Sequence, residues 1–161
     1  MMLLIVPYAV WALCAACDAT SFKIPNRYVG VLMAAWPVAV VLSGGDLSVL
    51  IGGLSVGGLF LVVGFGLFAA RLLGAGDAKL IAASGLWIGP SAALPFLLYT
   101  TLAGAALGLF LLRARAAPLP AFASNLPWLV ALHARERVMP YGVAIALGGM
   151  IALPGSALVG G

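Results

Sequence analysis

Charged side chains are too few in this chain to cover a water-soluble globule. Of 161 residues, 8 are Lys or Arg and 4 are Asp or Glu, and 65% of the chain is hydrophobic. A typical soluble domain is about 25% charged. Since a transmembrane helix needs about 20 mostly apolar residues, six helices would use about 120 residues and leave about 40 for loops. The sequence therefore predicts one all-α integral membrane domain over residues 1–161.

Interruptions in the apolar pattern divide the chain into six predicted transmembrane spans. The first span ends at Asp18, and Gly89-Pro90 separates the fourth span from the fifth. The predicted spans are residues 1–17, 28–43, 47–70, 77–89, 91–112 and 141–159, with one long loop over 113–139. Five spans would require a single very long apolar helix through Gly89 and would scatter the basic residues over both membrane faces. Six spans are therefore preferred.

The basic residues predict how the chain is oriented. All 8 Lys and Arg residues lie in three polar segments, 18–27, 71–79 and 113–139, which six spans place on one side of the membrane. Cytoplasmic loops carry the excess of Lys and Arg, so these segments are predicted to be cytoplasmic and both termini to lie outside. This arrangement accounts for the net charge of +4, and we expect no nucleic-acid partner.

The loop over 113–139 contains a short apolar stretch. The segment Asn125-Leu126-Pro127 is typical of a helix start, and residues 127–132 are apolar before a basic end. Two interpretations stay open. The stretch is either a short helix in the headgroup region, with Trp128 facing the lipid, or a simple tether.

The four acidic residues fall into two groups. Asp46 lies in a Gly-Gly-Asp turn, where Asp is common, and Glu136 between two arginines is most simply a surface ion pair. Asp18 and Asp77 lie where an apolar span meets a cytoplasmic segment, on the same side of the bilayer. A carboxylate near hydrocarbon is costly and suggests a functional site. The two could pair across neighbouring helices, or each could simply end a span.

The sequence around each of these two acids adds information. Asp77 belongs to the segment Gly-Ala-Gly-Asp-Ala-Lys over 74–79. Glycine lets the backbone approach an extended peptide closely, and irregular backbone at membrane depth is tolerated where it lines a cavity. Asp18 is followed by Ile24, Pro25 and Asn26, and Asn26 is expected to be the N-cap of the second span.

Three motifs in this order resemble those of the type IV prepilin peptidases, which belong to the GxGD class of intramembrane aspartic proteases. They are Asp18 with Ile24-Pro25-Asn26, then the segment 74–79, then Pro140-Tyr141-Gly142-Val143-Ala144-Ile145 at the start of the last span. The resemblance covers essentially the whole chain. Its compact length is similar to that of the TadV or CpaA branch, which serves Flp/Tad-type pili.

This resemblance implies an activity and a site. It implies removal of the leader of a single-span prepilin after a Gly, by a multi-pass enzyme in the lipid bilayer of the bacterial inner membrane. Cleavage would occur at the cytoplasmic face, with both termini periplasmic, and Asp18 and Asp77 would be the catalytic pair. The residues expected to support that pair or contact the substrate are Gly74, Gly76, Lys79, Pro25 and Asn26. Lys79 either meets an acidic residue of the substrate or marks the cytoplasmic boundary.

The implied chemistry needs only the two acids. Two close carboxylates do not both ionise easily, so they share one proton. One then acts as base on a water molecule while its protonated partner polarises the scissile carbonyl. Asp18 lies at the negative end of the first helix dipole and Asp77 near the positive end of the fourth, which predicts the charge on Asp77.

One departure from the resemblance affects the expected activity. Longer relatives carry a cytoplasmic segment with paired cysteines, associated with zinc, and they also methylate the new pilin N-terminus. That segment is absent between the early spans here, and the only cysteines are Cys14 and Cys17. Structural zinc usually has four ligands. We therefore expect no metal, no cofactor and no N-methyltransferase activity.

Two other functions and two glycine pairs complete the predictions. A small proton-coupled transporter could use Asp18 and Asp77 as relay groups, although the outer side then offers only Asp46. A non-catalytic scaffold for pilus or secretion machinery would leave the paired acids unexplained. Two glycine pairs spaced by four are predicted to allow close helix packing without a catalytic role, namely Gly53 with Gly57 and Gly104 with Gly108.

Overall fold

The computed structural model describes residues 4–116, 118, 125–134 and 139–160, and in these ranges the chain is helical with no strand. The helices are α1 (Ile5–Ser21), α2 (Asn26–Leu42), α3 (Leu47–Ala69), α4 (Ala75–Ala116), α5 (Pro127–Ala134), α6 (Tyr141–Ala152) and α7 (Ala157–Gly160), with a 3-10 turn at Leu153–Gly155 before α7. The all-α fold class is therefore confirmed. The interpretation of Glu136 as a surface ion pair falls outside the described residues.

Three helical stretches are long and apolar enough to cross a membrane, namely Leu47–Ala69, Ala75–Ala116 and Tyr141–Gly160. Helices α1 and α2 are apolar but shorter, at 17 residues each. The sequence predicted that the first span stops before Asp18. Helix α1 instead includes Asp18 and continues for three residues beyond it, to Ser21. The number of membrane crossings and the orientation of the termini stay predictions.

Helix α4 is divided at Gly89, where the sequence predicted a break. Gly89 has φ 61° and ψ −177°, a conformation that favours glycine, and Pro90 then fits the first turn of the next helical segment. The first segment (75–88) lies along α3, with Gly64 against Ala78 near its start and Gly57 against Leu86 near its end. The second segment packs on α6 and runs in the opposite direction to the first segment. The chain therefore turns back at Gly89.

Contacts along α6 show this reversal. A Cβ on Gly155 would lie against Ala92, one on Gly148 against Thr100, and one on Gly104 against Tyr141. Along α1, Gly149 faces Trp11 and Gly142 faces Asp18. Helix α6 therefore runs antiparallel both to α1 and to the second segment of α4.

A buried layer of three residues joins α1, α4 and α6. Trp11 is 0% exposed, its Nε1 donates a 2.9 Å hydrogen bond to Ser84 Oγ, and a Cβ on Gly149 would lie 2.7 Å from its ring. We call Trp11, Ser84 and Gly149 the Trp11 layer. Two turns along each helix from this layer, seven residues in each case, lie Asp18, Asp77 and Gly142.

Helices α3 and α4 approach closely where the first glycine pair predicted. A Cβ on Gly53 would lie 2.7 Å from the Leu86 carbonyl oxygen and 2.5 Å from the Trp36 ring, and one on Gly57 would lie 2.6 Å from the Leu86 side chain. Close packing at this pair is therefore confirmed.

Replacing Gly53 by Ala is expected to lower the free energy of unfolding by about 1–3 kcal/mol, because the new methyl group would overlap backbone that cannot move without moving the helix. The matched control is Gly58→Ala on the same helix, where a Cβ meets nothing within 4 Å. Thermal unfolding of the two variants in detergent gives the comparison. Equal melting temperatures would contradict the expectation.

Candidate active site

Asp18 is buried in the last turn of α1. It is 6% exposed, and its Oδ2 accepts a 2.7 Å hydrogen bond from the backbone N–H of Gly142 in the first turn of α6. The helix ends just beyond it, at Phe22, which has a left-handed conformation and donates its amide to the Asp18 carbonyl at 2.9 Å. The buried carboxylate of Asp18 is thus hydrogen-bonded by a residue of a different helix, 124 positions away in sequence.

Asp77 lies in the first turn of α4, as its sequence segment predicted. Its carboxylate lies over Gly74, where a Cβ would be 2.7 Å from Asp77 Oδ2. Gly76 faces Ile24, with 3.3 Å between the Ile24 Cβ and a Cβ built on the glycine. Each glycine of the segment therefore leaves room for a different neighbour: Gly74 for the acid itself and Gly76 for the segment that follows α1.

Both acids line one cavity of about 870 Å³ at the same end of the helix bundle. Asp18 and Asp77 lie near enough for the charge of one to act on the other. Much of the remaining wall is apolar and comes from α3 and from the second segment of α4. Its lining residues include Phe22, Leu67, Phe68, Ile81, Phe96 and Leu97, together with Arg71, Thr100, Met139 and Tyr141.

The predicted supporting residues join α2 to α4 beside the cavity. Lys79 Nζ donates a hydrogen bond to Asn26 Oδ1 at 3.3 Å, and neither side chain lines the cavity. The sequence predicted Asn26 as the N-cap of α2, and this prediction is wrong. The N-cap is Pro25, whose carbonyl accepts a hydrogen bond from the Tyr28 amide at 3.1 Å. The amide side chain of Asn26 binds Lys79 instead of capping its own helix.

Ile24 explains why its motif accompanies the other two. Its side chain lies between Gly76 and Gly142, and a Cβ on Gly142 would be 2.9 Å from Ile24 Cδ1. The segment after α1 therefore packs against the first turns of both α4 and α6. A side chain larger than hydrogen at either glycine would push Ile24, and with it the segment after α1, away from these first turns.

Sequence reasoning missed three polar residues in the cavity wall. Arg71 served only to predict the orientation of the chain in the membrane. It lines the cavity, and its backbone has a left-handed conformation with φ 61°. Thr100 is buried, and its Oγ1 has no hydrogen-bond partner among the described residues. Tyr141 belongs to the third motif, which carried no assigned role. The motif was the only signal that pointed to any of the three.

The remaining predicted candidates lie elsewhere. Asp46 is the N-cap of α3, and the Ser48 hydroxyl and the Val49 amide lower the pKa of its carboxyl. Cys14 is buried and Cys17 is half-buried. Within the ranges that the structure describes, no three His, Cys, Asp or Glu side chains form a group that could hold a metal ion.

The apolar stretch after Asn125 forms a helix, α5, rather than an extended tether. Helix α5 packs against α1 and α4, and Arg115 Nη2 donates to the Leu132 carbonyl at 2.9 Å. Its position in the headgroup region stays a prediction.

Comparison with known proteins adds to this geometry. Residues 5–109 match the model of the type IV leader peptidase family. The match includes both acids and the sequence segments around them, and it ends before the motif that opens α6. No curated protein and no solved structure matches the chain significantly. Since the matched residues make up more than half of the chain, it belongs to the type IV leader peptidase family and is a membrane-embedded protease.

Proposed function

We propose that this protease is an aspartic endopeptidase of the inner membrane that removes the leader of Flp/Tad-like prepilins at the cytoplasmic face. The observation that carries the proposal is the convergence of Asp18 and Asp77, from two helices, on one cavity. A pair of carboxyl groups that share a proton can supply both a base and an acid to peptide hydrolysis. The family membership supplies the substrate class, a prepilin with a leader.

The proposed reaction needs one water molecule between the two acids. The ionised carboxylate removes a proton from this water as its oxygen attacks the scissile carbonyl carbon. The protonated partner donates a hydrogen bond to the carbonyl oxygen, which becomes the oxyanion of the tetrahedral intermediate. The C–N bond then breaks, the leaving amine takes a proton from the acid pair, and the new carboxyl group remains on the leader.

The location of the shared proton depends on three helices rather than two. Reasoning from the ends of α1 and α4 predicts the charge on Asp77. The first turn of α6 acts against this prediction, because the Gly142 amide donates to Asp18 and a helix N-terminus favours an anion. The prediction that Asp77 carries the charge thus leaves out the Gly142 amide, which stabilises a charged Asp18.

The shape of the cavity suits a single-span substrate. Its apolar side chains include Leu67 and Phe68 from α3 and Leu97 from the second segment of α4, all exposed at the surface of the helix bundle. A substrate helix could reach the acids from the bilayer along this wall. The basic residues Arg71 and Lys79 lie at the same end of α4 as Asp77, which supports cleavage at the cytoplasmic face.

Reconstitution with a prepilin tests this function. Membranes that contain the protein and a Flp-type prepilin should yield a shortened pilin, whose new N-terminus, located by mass spectrometry, follows a Gly. A second prepilin from outside the Flp group tests the substrate branch. Absence of cleavage would reject the protease function for these substrates, and proton flux in vesicles without prepilin would favour the transporter instead.

A further inference from the structure

We propose that Tyr141 is a further catalytic residue, whose phenol donates a hydrogen bond to the carbonyl oxygen of the scissile peptide. The inference rests on the proposed aspartic mechanism and adds a donor to it. In this role Tyr141 transfers no proton. It stabilises the negative charge that develops on the carbonyl oxygen while the acid pair activates water, as preorganised donors do in other hydrolases.

The first turn of α6 fixes Tyr141 beside the acid pair. The residue that follows it, Gly142, donates its amide to Asp18 Oδ2 at 2.7 Å. Tyr141 lines the same cavity as Asp18 and Asp77. The tyrosine therefore lies on the wall of the cavity that holds both acids, although it is more than 60 residues from either one in sequence.

The second glycine pair packs against this tyrosine and against Met139, two residues before it. A Cβ on Gly104 would lie 2.6 Å from Tyr141 Cε2 and 3.4 Å from its Oη, so the ring packs directly on the backbone of α4. A Cβ on Gly108, one turn further, would lie 3.5 Å from Met139 Sδ. Close packing here thus holds a cavity-lining side chain in place, a function that the spacing of the two glycines did not predict.

The phenol of Tyr141 is available to a substrate. Its Oη makes no hydrogen bond with another described residue, and it is not among the fully buried side-chain atoms that lack a partner. A phenol is a donor at neutral pH. A fixed donor on the wall of the cavity that Asp18 and Asp77 also line can serve as an oxyanion donor.

The variant Tyr141→Phe tests the proposal with little change in packing, because the ring stays on Gly104. We expect kcat for prepilin cleavage to fall by about 10²–10³-fold, with KM and the thermal unfolding temperature close to the wild-type values. The matched control is Tyr99→Phe, since Tyr99 lies on α4, is 38% exposed and is outside the cavity lining. This control should keep full activity.

A double-mutant cycle tests whether Gly104 acts through the tyrosine. Gly104→Ala should reduce kcat in the wild-type background, because the new methyl group displaces the ring. It should reduce kcat much less in the Tyr141→Phe background, where the hydrogen bond is already lost. Gly108→Ala, which meets only an ordinary contact, should have little effect in either.

The outcomes separate this inference from the proposed function. If the wild type cleaves prepilin, Asp18→Asn does not, and Tyr141→Phe keeps its full kcat, then the inference is wrong while the aspartic mechanism stands. A rise in KM with unchanged kcat would also overturn it, because the phenol would then bind the ground state and the transition state equally. A wild-type protein that cleaves no prepilin would overturn both proposals.

Discussion

Leader removal is expected to fall by about 10²–10⁴-fold or more when either Asp18 or Asp77 is replaced by Asn. Asn has nearly the same shape as Asp, but it can neither accept the proton of water nor hold the proton that the pair shares. In Asp18→Asn the Gly142 amide keeps an oxygen acceptor within reach, so the first turn of α6 should stay in place. The loss would then report on chemistry rather than on folding.

The chain offers a matched control for these two variants. Asp46 lies outside the cavity and caps α3 by accepting from the Val49 amide at 3.1 Å. Asn is also a good N-cap, so Asp46→Asn should cleave prepilin at the wild-type rate. Cleavage is followed by the mobility shift of the pilin, with protein amounts matched by immunoblot. An active Asp18→Asn or Asp77→Asn variant would remove the acid pair from the mechanism.

The largest effect on stability is expected from Trp11→Ala. Removing a fully buried large aromatic side chain costs about 3–5 kcal/mol, and in this case the Ser84 hydroxyl also loses its donor. The cavity left behind would lie between α1, α4 and α6, two turns from the acids. We therefore expect a marked fall in the thermal unfolding temperature together with reduced cleavage.

Two milder variants divide this effect into its parts. Trp11→Phe keeps an aromatic ring but no donor for Ser84, and Ser84→Ala removes the acceptor and leaves Trp11 Nε1 unpaired. Each should cost about 1–3 kcal/mol, the cost of an unsatisfied buried polar group. Thermal unfolding in detergent, followed by circular dichroism, ranks the three. A Trp11→Ala variant as stable as Trp11→Phe would show that the ring contributes little packing.

The sequence predicted those parts of the site that local patterns encode. The Asp77 segment predicted an acid in the first turn of a helix, because glycines next to an acid at the edge of an apolar span have few other uses. The break at Gly89 was predicted because Gly-Pro interrupts a long apolar stretch. In both cases the cause lies within a few residues of the feature, so a single sequence was sufficient.

Contacts between distant residues could not be predicted in this way. Asp18 was expected to end its span, since a charged residue in hydrocarbon is costly. It lies inside the helix because the Gly142 amide, from the far end of the chain, satisfies its carboxylate. Asn26 was expected to cap α2, but its side chain binds Lys79 of another helix. No local pattern distinguishes these residues from ordinary helix-end residues.

The Trp11 layer also bears on how the enzyme experiences the membrane voltage. The Trp11 ring is fully buried, whereas the cavity two turns away includes the exposed Arg71 in its lining. A water-filled recess takes the potential of the compartment to which it opens, so the voltage drops across the densely packed part beyond it. Moving one elementary charge through 100 mV costs about 2.3 kcal/mol. On the proposed mechanism, with the cavity open to water at the cytoplasmic face, protons exchanged between the acids and water would cross little of this field, and we expect peptide hydrolysis at equal rates in energised and de-energised membranes.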